Sequence, residues 1–166
     1  MSTPDLILRP FEPADAEPLW PILEETVRPG DTYAIDPDLS RAELMRLWCE
    51  LPRAVFVAER AGRVLGTYYI KTNQQGGGAH VCNCGYITAS EARGLGVARS
   101  MCEHSQIVAR GMGYLAMQFN YVVSTNSGAI ELWSRLGFNI VGRLPLAFRH
   151  PEAGLVDALV MYKPLA

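Results

Sequence analysis

The sequence predicts a mixed α/β fold, and three observations carry that reading. Short β-patterned runs open and close the chain, and two of them form a hairpin. Two segments, Val97–Met112 and Asn126–Leu136, carry apolar residues at helical spacing. The longer of these helices stands between Val81–Thr88 and Leu115–Val123, both patterned as strands, which implies a right-handed parallel crossover.

The elements follow in order. Leu6–Leu8 is a short strand, and Pro13-Ala14-Asp15 starts a helix that runs to about Val27. Pro18 and Pro21 predict a break or kink there. Arg28–Pro37 is a loop around Pro29-Gly30-Asp31. Asp38 or Ser40 caps a second helix through Leu51, with Leu44, Leu47, Trp48 and Leu51 on its apolar face. Ala54–Glu59 and Val64–Lys71 form a hairpin turned at Ala61-Gly62. Gln74–Gly78 is a glycine-rich loop before the Val81–Thr88 strand. Asn139–Leu144 and Val156–Tyr162 are the last strands.

Composition narrows the function classes. A chain of 166 residues suffices for one domain with a real core. Its net charge of −2 carries no basic bias toward nucleic acid. The apolar runs are too short to span a bilayer, and Met1–Asp5 lacks the apolar core of a signal peptide. Cys49, Cys82, Cys84 and Cys102 read as reduced thiols. A soluble cytoplasmic protein, without nucleic-acid or membrane partners, is the expectation.

The richest segment is Arg93-Gly94-Leu95-Gly96-Val97-Ala98-Arg99, between strand and helix. Small residues there let backbone N–H groups approach an anion, and the helix start adds its positive dipole end. Arg93 and Arg99 add full charges, so a pyrophosphate would sit well. A Walker loop would need Gly-Lys-Ser/Thr, which is absent. A dinucleotide fingerprint would need a small residue where Arg99 stands, and an acidic residue closing the next strand. The plainer alternative is an ordinary glycine turn.

The pattern Arg-x-x-Gly-x-Ala over Arg93–Ala98 resembles the acyl-CoA pyrophosphate loop of the GCN5-related N-acetyltransferases, the GNAT family. The segment Asn126-Ser127-Gly128-Ala129-Ile130-Glu131-Leu132-Trp133-Ser134-Arg135-Leu136-Gly137-Phe138 is similar to that family's Asn-x-x-Ala-x-x-x-Tyr-x-x-x-Gly-Phe. Its local physics is that of a capped helix: Asn126 as N-cap, Ala129, Trp133 and Leu136 on one face, Gly137 as terminator. The resemblance implies a mixed central sheet with helices on both faces and a parallel pair splayed around an acyl-CoA groove. It implies one N-acetyltransferase domain over residues 1–166, with acetyl-CoA as co-substrate and no metal. Tyr86, Ile87 and Thr88 would contact the pantetheine arm and supply an N–H to the thioester oxyanion. Arg93, Gly94, Leu95, Gly96, Val97, Ala98 and Arg99 would hold the pyrophosphate. Asn126 would lie near the thioester as a catalytic and cofactor-binding candidate.

One residue departs from the pattern. Trp133 stands where many members carry a tyrosine that protonates the leaving thiolate. An indole N–H is no usable acid near neutral pH. A thiolate with pKa of roughly 8.5, by analogy with cysteine, can leave without full proton transfer.

Asn83 and Asn120 interrupt strands otherwise patterned for burial. A buried amide left unpaired costs about 1–3 kcal/mol, so each needs a partner, structural or substrate. Leu65-Gly66-Thr67-Tyr68-Tyr69-Ile70-Lys71, His80-x-Cys82-Asn83-x-Gly85, Phe119-Asn120-Tyr121-Val122 and Thr125-Asn126 resemble the fungal azetidine-2-carboxylate N-acetyltransferases. The matching stretch runs from about Leu65 to Pro145, and Met1–Pro52 adds nothing to it. That resemblance implies that Asn83 and Asn120 bind the acceptor.

Other groups weigh less. Cys82-x-Cys84 lacks a second ligand pair at zinc spacing and reads as core or pocket wall. His80, His104 and His150 read as structural or surface residues, with Arg149-His150-Pro151 a candidate flap over the acceptor and Arg149 a candidate carboxylate partner. No carboxylate stands out as a base. The expected function is acetyl-CoA-dependent N-acetylation of a small amine, an amino acid or cyclic imino acid. The alternatives are acetylation of a protein N-terminus or lysine, and a non-catalytic acyl-CoA sensor; a homodimer stays open.

Overall fold

The computed structural model describes residues 5–165, so most of Met1–Asp5 lies outside the described residues. Seven strands form one sheet in the order β1-β2-β3-β4-β5-β7-β6. They are β1 (Ile7–Pro10), β2 (Ala54–Arg60), β3 (Arg63–Thr72), β4 (Val81–Thr88), β5 (Ala116–Val123), β6 (Asn139–His150) and β7 (Gly154–Pro164). Only β4 and β5 pair in parallel; all other neighbours are antiparallel.

The helices are α1 (Ala16–Val27), α2 (Arg41–Met45), α3 (Val97–Gly111) and α4 (Ser127–Arg135). A predicted break in α1 is not there. A short 3-10 turn, Pro13–Asp15, leads in, and the helix then runs continuously through Pro21. Pro18 falls in the first turn, where an N–H would have no helical partner anyway. Ser40, not Asp38, caps α2, in a reciprocal capping box with Glu43. The helix continues as a π-helical turn, Arg46–Glu50. That turn rotates the apolar face: Leu44 and Trp48 are buried, whereas Leu47 and Leu51 are exposed.

Side chains alternate across the sheet, and this places two helical layers. Tyr69 of β3 meets Trp48, with ring centroids 4.8 Å apart, so the α2 side covers the face that also bears Asn83 and Gly85. Tyr68 and Tyr86 point the other way, to His104 and Ser105 of α3. Trp133 of α4 packs on that second face, 5.0 Å from the Tyr86 ring and 5.3 Å from Phe119. The hairpin β2–β3 turns on Ala61 and Gly62, both at positive φ. Gly137 ends α4 in the left-handed region at φ 90°, as its position predicts. No helix among the described residues is long and apolar enough to cross a membrane.

Candidate active site

The parallel ladder between β4 and β5 lasts two residue pairs, Val81↔Ala116 and Cys82↔Met117. Beyond it the strands separate, and named side chains mark the split. Asn83 Nδ2 donates to the Gln118 carbonyl oxygen across the split, at 2.9 Å. That carbonyl would otherwise lose its partner where the ladder ends. Asn83 is buried, and the more distant Tyr69 hydroxyl lies 3.5 Å from its Oδ1. On the other wall, β5 slips register between Phe119 and Val122. The simple alternation predicted for β5 therefore fails at Asn120 and Tyr121, which an irregularity turns toward the gap. Asn120 is only half-buried, a correction to the expectation of burial; it accepts from Gln118 Nε2 at 2.9 Å and donates to Asn73 Oδ1 at 2.6 Å.

A cavity of about 430 Å³ runs through the split. Asn83, Asn120, Tyr69, Lys71, Tyr121 and Trp133 are among the groups on its wall. A second cavity, about 690 Å³, opens at the far ends of the two strands. Glu25, Asp31, Thr88, Arg93 and His150 border it, and Thr32, Tyr33, Tyr86 and Asn126 border both.

The predicted site residues thus fall into three groups. Asn83 and Asn120 share the first cavity, while Tyr86, Ile87, Thr88, Arg93 and Asn126 border the second. Gly94, Leu95, Gly96, Val97, Ala98 and Arg99 border neither and make the turn outside, at the start of α3. Gly94 and Gly96 sit at φ 76° and 79°, which accounts for glycine at both. Gly96 is the N-cap and has no side chain to offer, so the first N–H groups of α3 lack a side-chain cap. Arg99 is less available than expected, since its Nε donates to Glu103 at 2.9 Å. Asn126 Oδ1 accepts from Ala129 N, 3.2 Å away, leaving its amide N–H groups as the part that can meet a ligand.

The backbone of Tyr86 is occupied in this structure: the Tyr33 hydroxyl accepts from Tyr86 N at 2.9 Å and donates to Tyr86 O at 2.6 Å. One phenol does the work of a neighbouring strand. Trp48 braces it edge-on, 5.7 Å between centroids.

Electrostatics keep this centre in its neutral, donor-bearing forms. Burial pushes the phenols of Tyr33 and Tyr86 far up, and that of Tyr69 to about 12. Burial likewise raises the Cys84 thiol, so it stays protonated near pH 7 and acts as wall rather than nucleophile. The four cysteines are free. No cluster of metal-ligating groups occurs among the described residues. His104 lies away from both cavities against Tyr68, and burial lowers its pKa. Arg149 borders neither cavity, while its neighbour His150 borders the second.

Sequence reasoning missed Tyr33, Tyr69, Lys71, Glu25 and Asp31. Glu25 is fixed by Ser90, whose N and Oγ both donate to its carboxylate. Tyr69 and Lys71 could have been found, because alternation along β3 sets them on one face and the hairpin order brings them opposite β4. Tyr33 sits in a loop, where no periodic signal exists.

A sheet split at one parallel pair, with a glycine turn feeding a helix at its open end, defines an acyl-CoA-type fold. The profile described as the Acetyltransferase (GNAT) family matches residues 19–138, and the chain belongs to that family. A GCN5-related N-acetyltransferase from Kribbella flavida superimposes with a TM-score of 0.90 at 40% identity, over 96% of this chain and 97% of that one. The structure of yncA from Salmonella typhimurium with its cofactor acetyl-CoA superimposes with a TM-score of 0.82, over 98% and 95% of the two chains; at 20% identity this likeness is one of fold. Among curated proteins, N-acetyltransferase aca1 of Schizosaccharomyces pombe is 35% identical over 58% of this chain and 47% of its own length. Mycothiol acetyltransferase of Thermobispora bispora is 30% identical over 79% of this chain and 45% of its own length. The chain spans about half the length of these curated relatives.

Proposed function

We propose that this chain is an acetyl-CoA-dependent N-acetyltransferase whose acceptor is a small amine, an amino acid or a cyclic imino acid such as azetidine-2-carboxylate. The single observation that supports this best is the cavity through the β4–β5 split, with the amides of Asn83 and Asn120 on its otherwise largely apolar wall. A protein that only sensed acyl-CoA would need the glycine turn and not this chamber. The free thiols of Cys49, Cys82, Cys84 and Cys102 fit a cytoplasmic setting.

In this reading acetyl-CoA supplies an activated acyl group as its thioester. The amine nitrogen bonds to the acyl carbon, the carbon–sulfur bond breaks, and the nitrogen's proton leaves to solvent. Arg93 and the first turn of α3 hold the pyrophosphate. Asn83 and Asn120 orient the acceptor; their amides place an N–H but take no proton at neutral pH. The base is then water.

Gly96→Asp puts a negative charge at the start of α3, and CoA affinity should fall by about tenfold or more. Calorimetry giving unchanged affinity in a folded variant refutes the pyrophosphate assignment. Trp133→Phe should retain much of its turnover, because the indole is asked for packing and not for a proton. A kcat loss of several powers of ten, with fold and CoA binding intact, would contradict this.

A peptide-acceptor reading has one observation in its favour. A ribosomal-protein-alanine N-acetyltransferase from Brucella melitensis superimposes with a TM-score of 0.83 at 26% identity, over 95% of this chain and 99% of that one. Thioester consumption screened over amines, amino acids, azetidine-2-carboxylate, proline and an alanine-started peptide separates the two. Turnover with the peptide alone rejects the small-amine reading.

A further inference from the structure

The chamber that holds Asn83 and Asn120 has a wall of aromatic, aliphatic and amide groups, and among the described residues that line it Lys71 alone carries a formal charge. Lys71 stands directly across the β3–β4 ladder from Asn83. Its Nζ lies 5.4 Å from the centroid of the Tyr69 ring, whose hydroxyl faces Asn83. Every ion pair found among the described residues involves an arginine, and none involves this ammonium. The aromatic face attracts the ammonium and guides the long side chain along the chamber.

A chamber of one sign selects its occupant. A cationic acceptor, such as a lysine side chain or a polyamine, meets like charge with no carboxylate on the wall to offset it. An amine that carries its own carboxylate meets a cation. We infer that Lys71 is the specificity residue of the acceptor chamber, binding the substrate's carboxylate and restricting the enzyme to anionic or zwitterionic amines. This rests on the small-amine reading above and narrows it.

The same charge acts on the nucleophile. An ammonium held beside a fixed cation gives up its proton more readily, because a like charge disfavours the protonated form. Lys71 therefore anchors one end of the acceptor and biases the other end toward the neutral amine that attacks. No carboxylate base on the chamber wall is needed.

The test compares matched pairs: proline and prolinamide, azetidine-2-carboxylate and its amide, alanine and alaninamide. Their binding to the protein with CoA present is measured by calorimetry, and acetyl transfer to each is measured in parallel. The wild type is expected to bind at least one acid about tenfold or more tighter than its amide, from the strength of a charge-assisted contact. Lys71→Gln should abolish that preference without weakening the amide, and Lys71→Arg should keep it. The pH at which kcat rises should move upward in Lys71→Gln, because kcat follows the ionisation of the bound amine. Lys71 is exposed, so these variants are expected to fold. The inference is overturned if no acid binds, if acids and amides bind alike, or if Lys71→Gln keeps the preference. Preference without transfer would reject the acetyltransferase reading and leave the carboxylate site standing; transfer without preference would reject the carboxylate site alone.

Discussion

Replacing Asn83 or Asn120 by alanine is expected to lower kcat/KM for the acceptor by about 10–100-fold, the equivalent of roughly 1.5–3 kcal/mol. A site built on hydrogen bonds loses more than one contact when a partner goes, because the groups left behind are unpaired. The two asparagines should separate in a second measurement. Asn83 also ties the Gln118 carbonyl across the split, so Asn83→Ala strands a backbone acceptor and should lower thermal stability. Asn120 bonds only to Asn73 and Gln118 side chains on a half-open wall, and its loss should leave stability near the wild-type value. CoA affinity should hold in both. Full activity in a folded Asn83→Ala variant, assayed well below its midpoint of unfolding, would reduce that residue to a strap between strands.

Gly66→Ala should destabilise the fold. A methyl there would lie 2.8 Å from the Ile87 carbonyl oxygen and 3.0 Å from Met101 Cε. Methionine can move aside, but the carbonyl belongs to β4 and moves only with the strand. Overpacking of this kind costs about 1–3 kcal/mol. For a chain of this size that is a fall of about 2–12 °C in Tm. The strain also enters the site, since Gly66 pairs with Thr88 on the wall of the second cavity. A midpoint within a degree of wild type would show that β3 and β4 slide apart at little cost.

The sequence made the frame legible because the frame is periodic. Val81–Thr88 coincides with its predicted bounds, and the helices after Gly96 and Asn126 begin where glycine and asparagine place them. The site was half legible. Asn83 and Asn120 stood out as amides in apolar strands, and the cavity brings them together. What stayed hidden were departures from period: the π-helical turn that exposes Leu47 and Leu51, and the slip in β5 that re-aims Asn120. Both depend on which backbone hydrogen bonds form across the molecule, and local pattern carries no record of that choice. Lys71 was visible but unremarkable, because a lysine on a strand is ordinary until its neighbours are known.

The Tyr33 phenol has a consequence for how ligands enter. Anything that runs along β4 at Tyr86 finds both backbone groups already satisfied. Entry there is an exchange of partners and not an addition. The count of hydrogen bonds on β4 is the same before and after, so these contacts fix where a ligand lies and contribute little to how tightly it is held. Tight holding then falls to the two ends of the ligand and to its apolar length. The Tyr33 ring belongs to the wall of both cavities, so a ligand that displaced it from one would change the shape of the other.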